Sequence, residues 1–374
     1  GSDWERMLEA VERLRSDVEA LPPNPFAEVP VSGAKNQGPS APGAVAITRG
    51  KLLDAEEIPA RIASRARGVD FVGLYAGGPM IRAAADSAGK LRWFETDSFC
   101  IDYSLVTPSA RALKGAYAGS HWDDDAFARK LERDRARLEL LEREPREIQR
   151  GSYRTYLAPA AVEELVRILS WGCIGEAAIR QAESPFRLLR QGKTLSPQFN
   201  LSEDFRRGDT PRFNSEGEIA PEHLPLVRRG KLVSALVHAK TAREYKLAAN
   251  GAEAGEAMRS PALEPGDIRE SEVLSRLGRG LYLSNLHYLN WSDQPAGRVT
   301  GMTRYACFWV ENGQLVAPIK DLRFDDSLFS LFGKALEGLP RETEIMPNTI
   351  TYGSRHPGSA SVPGALLSAM SFTL

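Results

Sequence analysis

Histidine and cysteine are scarce in this 374-residue chain, and that scarcity removes much metal and nucleophile chemistry at the outset. The five histidines are His121, His223, His238, His287 and His356, and the closest two are fifteen residues apart. Two imidazoles grip one zinc ion from a helix when they stand about one turn apart, because residues i and i+4 project together. No HExxH or HxxxH pair is present, and a site built from distant histidines would depend on the tertiary fold. Walker loops, GxGxxG and the nucleophile elbow GxSxG are missing as well. The three cysteines, Cys100, Cys173 and Cys307, are odd in number and widely spaced. That argues against a disulfide framework and for a reducing, cytoplasmic setting. No excess of positive charge exists either: 48 Lys and Arg stand against 49 Asp and Glu. Nucleic acid and acidic membranes are therefore not expected partners. No apolar run reaches the ~18 residues of a membrane span, and the N-terminus lacks a signal-peptide core. Gly1-Ser2 reads as a cloning remnant.

What is present is an ordinary globular composition, 42% hydrophobic and 26% charged. The length suits about two domains and a sizeable core without staples. Trp4, Met7, Leu8, Val11, Leu14 and Val18 recur at helical spacing behind an Asp3 cap, and Pro22-Pro23 ends that helix near Leu21. Residues 24–50, rich in Pro, Gly, Ser and Ala, read as a long and partly mobile loop. A helix near 56–67 follows. Extended segments come next at 71–75, 80–84, 90–96 and 99–105, with turns expected at Gly77-Gly78 and Ala88-Gly89, as one antiparallel meander. Asp123-Asp124-Asp125 opens a helix that runs to about Glu144. These aspartates are read as caps that complement the helix dipole, since adjacent side chains diverge too far to share a metal.

A boundary is expected near 145–151, dividing an N-terminal α+β domain (1–150) from a β-rich C-terminal domain (151–374). A strand at 153–157 leads into a helix started by Pro159, with Val162, Leu165, Val166 and Leu169 on its apolar face. Residues 305–310 and 315–318, joined by Glu311-Asn312-Gly313-Gln314, form the clearest hairpin. A helix over 326–336 and a final strand over 365–374 complete the reading. The fold class is α+β: an N-terminal antiparallel meander with flanking helices and a β-rich C-terminal domain with a central helix.

Few residues here invite a chemical role. Cys173, in an apolar helical context, and Cys307, within the 305–310 strand, read as inert buried thiols. Ser359 and Ser361 near His356 lie in GSRHPGSASVPG, which reads as a flexible loop without the scaffold a triad needs. In residues 282–291, Ser284, Leu286, Tyr288 and Asn290 would share one strand face, and Leu283, Asn285, His287 and Leu289 the other. That mixture of polar and aromatic groups suits either a cavity wall or a half-exposed strand.

Several stretches taken in order carry a family resemblance. They are residues 153–165 (YRTYLAPAAVEEL), 213–217 (FNSEG) with 224–231 (LPLVRRGK), 280–293 (GLYLSNLHYLNWSD), 297–304 (GRVTGMTR) and 309–320 (WVENGQLVAPIK). Together they resemble the C-terminal region of TldD/PmbA proteins, and they cover most of 150–374. The N-terminal part fits more loosely and begins partway into the family's usual first domain. The catalytic, TldD-type members carry HExxxH on the central helix, together with a late Cys-Gly-Lys. Here Trp171 and Gly172 stand in the places of the first His and the Glu, and Glu176 in that of the second His. Tyr352-Gly353-Ser354 occupies the Cys-Gly-Lys place.

The resemblance therefore points to the PmbA/TldE branch and implies a chain with no cofactor of its own, zinc being expected only on a TldD-type partner. The pair would degrade or trim peptides, including leader peptides of modified antibiotic precursors. Asn285, His287, Tyr288, Asn290 and Arg304 are the expected peptide-facing residues, with no catalytic or metal-binding residue assigned. Two other readings stay open: a stand-alone homodimeric peptide-binding protein, and a non-metal peptidase using Cys307.

Overall fold

The computed structural model describes residues 2–26 and 40–373. Much of the expected mobile loop, residues 27–39, lies outside the described residues, as does Leu374 at the end of the final strand. The N-terminal helix spans Ser2–Glu19. Its apolar stripe faces solvent, with Trp4, Met7, Val11, Leu14 and Val18 all exposed.

Two 16-residue strands, Asp70–Ala85 and Leu91–Val106, make one long antiparallel hairpin. The four expected segments are thus two. Gly77-Gly78 is no turn, because it pairs in register with Phe99 and Ser98. The pair marks close approach instead: a Cβ on Gly77 would come within 2.5 Å of the Tyr75 hydroxyl oxygen. The real turn is closed by Asp86, whose Oδ1 accepts from the Ala88 and Lys90 amides at 3.0 Å each. Ala112–Gly119 adds a third strand, and Val45–Thr48, expected as loop, pairs parallel to residues 93–96.

This sheet changes its buried face midway. Phe99, Ile101, Tyr103 and Leu105 are buried on one face, and Arg92, Phe94 and Thr96 on the other. The first set packs on the helix Asp124–Leu141 through Phe127 and Leu131. On the second, the Arg92 Nε donates to the Gly217 carbonyl at 2.9 Å. Asp123 caps that helix as expected, its Oδ1 accepting from the amides of Asp125 and Ala126.

Residues 151–372 form two further sheets around one helix. The nine-stranded sheet runs Asn285–Asp293, Arg298–Arg304, Arg323–Ser327, Ala365–Phe372, Gly151–Leu157, Gly280–Leu283, Phe308–Glu311 and Gln314–Pro318, with Leu336–Gly338 paired to Ala365–Phe372. The six-stranded sheet runs Thr343–Pro347, Ser359–Pro363, Pro261–Leu263, Leu201–Asp204, His223–Arg228 and Lys231–Leu232. Helix Pro159–Ile168, begun by a proline whose missing N–H costs nothing there, packs against strands of both. Its Val162, Leu165 and Val166 are fully buried.

Three local expectations need correction. Residues 326–336 are mainly strand and a short helical turn, Ser330–Lys334, rather than one helix. Asp326 does not cap a helix; its Oδ2 accepts from the Ser371 amide of a neighbouring strand at 2.9 Å. The hairpin strand begins at Phe308, because Tyr305 takes a positive φ of 65° and breaks the extended run. Its Asn312-Gly313 tip, with φ of 52° and 71°, has the backbone sign of a type I′ turn. Ser359–Pro363 is a strand, not loop, and Ser359 is buried with its hydroxyl on the Asp209 carboxylate.

One hydrophobic core surrounds the central helix. A second joins the two halves of the chain: Ile101, Tyr103, Leu105, Phe127 and Leu131 pack with Tyr156, Tyr282, Phe308 and Leu366.

Candidate functional site

The central helix ends at Ile168, and the chain then turns through Gly172, whose φ of 76° suits glycine. The Trp171 carbonyl accepts from the Trp291 indole at 3.0 Å, and the Gly172 carbonyl from the Gln294 amide at 3.4 Å. Cys173 is fully buried in this turn rather than in a helix, and burial holds its thiol far above the ordinary range. Glu176 begins a five-residue helix and is buried. Its carboxylate accepts from Arg180 Nε at 2.7 Å and from Arg190 Nη1 and Nη2 at 3.0 and 2.5 Å. Burial alone would raise this carboxyl, but hydrogen bonds from Arg190 and Arg180 outweigh it and hold the group ionised below its usual value.

This donor set does not fit zinc. Its carboxylate is neutralised by two guanidinium groups, its thiol is kept protonated, and no imidazole belongs to it. Among the described residues, no three His, Cys, Asp or Glu side chains gather in a metal-holding group. Tyr352, Gly353 and Ser354 lie exposed, Tyr352 at 91%.

All five residues expected to face peptide lie on two adjacent strands. Asn285–Asp293 is the outer strand of the nine-stranded sheet, paired on its inner side with Arg298–Arg304. Asn285 stands opposite Arg304, His287 opposite Met302 and Asn290 opposite Thr300. The register slips between His287 and Asn290, where Tyr288 adopts a φ of 51°. This bulge overturns the expected split of faces. Leu286 and Leu289 are both buried, because the extra residue resets the alternation between them. Tyr288 is thrust outward at 73% exposure, its ring 4.1 Å from that of His287. Arg304 and His287 both act on Asp321, which sequence reading had not singled out; desolvation raises its carboxyl, and the two cations oppose that. Trp171, Trp291 and Gln294 were likewise unmarked as neighbours, and only the turn after the central helix shows that they meet.

Cys307 is buried, with Sγ directed at the Arg304 carbonyl at 3.2 Å. Burial pushes its thiol up to about 11, which keeps thiolate scarce near neutral pH. A separate cavity of about 210 Å³ lies between the N-terminal hairpin and the segment 345–359. Arg355 fills part of it, donating to the carbonyls of Gly78 and Ser98 at 3.2 and 3.0 Å. This cavity is a seam pinned by an arginine more than an open site.

A mixed sheet wrapped over one buried helix, with a second sheet beneath, defines a fold class already seen in solved structures. TldE from Thermococcus kodakarensis shares it with a TM-score of 0.72 at 14% identity, over 99% of this chain and 85% of that one. A candidate modulator of DNA gyrase from Bacteroides thetaiotaomicron VPI-5482 gives 0.74 at 13% identity, over 96% and 80%. Another, from Thermotoga maritima MSB8, gives 0.68 at 15% identity, over 89% and 81%. No curated protein matches the chain. The family described as "PmbA/TldA metallopeptidase C-terminal domain" matches residues 150–374. The chain belongs to the TldD/PmbA/TldE family.

Proposed function

We propose that this chain is a non-catalytic, TldE-like subunit of a peptidase whose zinc resides on a TldD-type partner. The observation that carries the reading is Glu176, locked by Arg190 and Arg180 where the second zinc histidine of catalytic members would stand. Metal-assisted hydrolysis needs a bound ion to lower the pKa of water, and the donors at this turn do not suit one. The subunit's own work is to shape the chamber and hold extended peptide. The outer strand Asn285–Asp293 supports this role, because a strand edge offers backbone hydrogen bonds to any extended chain. Asn285, His287, Tyr288, Asn290 and Arg304 then flank the bound peptide. The three cysteines are unbridged, in keeping with work in the reducing cytoplasm.

The test is elemental analysis for zinc on the purified chain, combined with peptide cleavage by the chain alone and mixed with a TldD-type homologue. No stoichiometric zinc, no cleavage alone and cleavage on mixing is the expected result. Stoichiometric zinc with cleavage alone overturns the reading. Peptide binding by a homodimer that never stimulates a homologue would replace the heteromer with a stand-alone binding protein.

A further inference from the structure

Beyond the Glu176 turn the surface opens into two adjoining hollows of about 640 and 410 Å³ that share Arg190 and Ser234. Five cations line them, Arg180, Arg187, Arg190, Lys193 and Lys231, and Glu176 is the one acid in either lining. Glu176 is already spent on Arg180 and Arg190. Among the described residues no carboxylate pairs with Arg187, Lys193 or Lys231, and the buried Nε of Arg187 has no hydrogen-bond partner. A desolvated guanidinium nitrogen without an acceptor is costly, and an incoming anion relieves that cost. Lys193 sits with Nζ 3.6 Å from the centre of the Phe329 ring, which holds its charge at the trough without neutralising it. Such concentration of one sign contrasts with the net charge of the whole chain, −1.

The trough also runs beside backbone suited to an extended ligand. Lys231–Leu232 is the outer strand of the six-stranded sheet, and Lys231, Leu232, Val233 and Ser234 line the hollow. A strand laid along that edge would place alternate side chains toward the cations. We propose that this trough is a subsite for the acidic side chains of an extended peptide, so that the chain selects acidic peptide segments. The inference rests on the peptide-holding role proposed above and gives it a substrate class. Peptide is favoured over nucleic acid because the trough is flanked by a free strand edge and has no aromatic ring in its lining on which a base could stack.

Fluorescence anisotropy on the full chain tests this with three labelled decapeptides of one pattern, carrying Glu, Gln or Lys at alternate positions. The Glu peptide is expected to bind about tenfold tighter than the Gln peptide, with an advantage that shrinks as salt rises. Arg187→Ala combined with Lys193→Ala should erase that advantage and leave binding of the Gln peptide unchanged. Lys193→Ala with Lys231→Ala serves as a second variant should the loss of Arg187 impair folding. Equal binding of Glu and Gln peptides, or an advantage that survives both variants, overturns the subsite while leaving the peptide-holding reading intact. Binding of no peptide at all overturns both. Tighter binding of a single-stranded oligonucleotide than of the Glu peptide, lost in the same variants, also overturns the subsite by assigning the trough to nucleic acid.

Discussion

Glu163 stands in the first turns of the central helix, beside Glu164 and 3.5 Å from a half-exposed Arg167. Burial raises its carboxyl to about 7; Arg167 opposes the shift and Glu164 adds to it. A carboxyl whose folded pKa lies above its unfolded value takes up a proton on folding. Its contribution is therefore fully present below the ordinary glutamate value and is lost as pH rises through about 7. We expect Glu163→Gln to remove this penalty, stabilising the chain above about pH 7 by up to about 3 kcal/mol. Urea unfolding of both proteins at pH 5 and pH 8 checks it, and parallel pH profiles would show that Glu163 does not titrate as described. Glu176 shows the opposite sign for a clear reason. Its two arginines make strong charge-assisted hydrogen bonds, whereas Glu163 has only a distant and mobile one. Both glutamates were plain in the sequence, but nothing in their spacing says which one a guanidinium pair would claim.

Among the elements, the outer strand Asn285–Asp293 departs furthest from what its sequence implies. Strict alternation predicts two clean faces, yet the chain inserts a residue at Tyr288 and holds it at a φ of 51°. A tyrosine there costs about 1 kcal/mol or more relative to glycine, since its Cβ crowds the backbone. The strand tolerates this because the bulge lets both Leu286 and Leu289 reach the core. Tyr288→Gly should therefore be neutral or stabilising by about 0.5–1 kcal/mol, despite the loss of the ring contact with His287. If the exposed ring helps to hold peptide, the same change should weaken peptide binding. A thermal melt and an anisotropy titration on one variant separate the two effects. A destabilised variant would mean that the tyrosine is there for the fold. The turn at Ala88-Gly89, the cap at Asp123, the proline start at Pro159 and the Asn312-Gly313 tip were all legible, because each is a local matter of backbone sign or a missing N–H. Gly77-Gly78 misled for the same reason. Glycines that permit a turn also permit a ring to lie flat on a strand, and only the position of Tyr75 decides between them.

For the molecule as a whole, we propose that residues 1–150 and 151–374 are two sequence units that fold as one cooperative body. Tyr103, Phe127 and Leu131 from the first share a core with Tyr156, Tyr282 and Phe308 from the second. Cutting between them would expose apolar surface on both sides, at about 25 cal/mol per Å². The expected result is a single unfolding transition for the full chain and an aggregation-prone fragment 40–150. Calorimetry showing two independent transitions, with that fragment folded alone, would instead establish separate domains. The apolar stripe of the N-terminal helix, exposed from Trp4 to Val18, contributes to neither core.

By itself the sequence determined the class of the protein. Its helices, caps and tight turns follow from short-range sterics and hydrogen bonding, and its family is written in ordered motifs between Tyr153 and Lys320. The histidines, too few and too far apart, already excluded a zinc helix of the usual spacing. Tertiary structure alone decided what replaces that site: a turn tied by Trp291 to Trp171, and a glutamate neutralised by arginines four and fourteen residues away. It also decided that Arg187, Lys193 and Lys231 converge on one trough. Charge balance over a chain records only sums, while desolvation and convergence depend on which residues the sheets bring together, and that information is non-local.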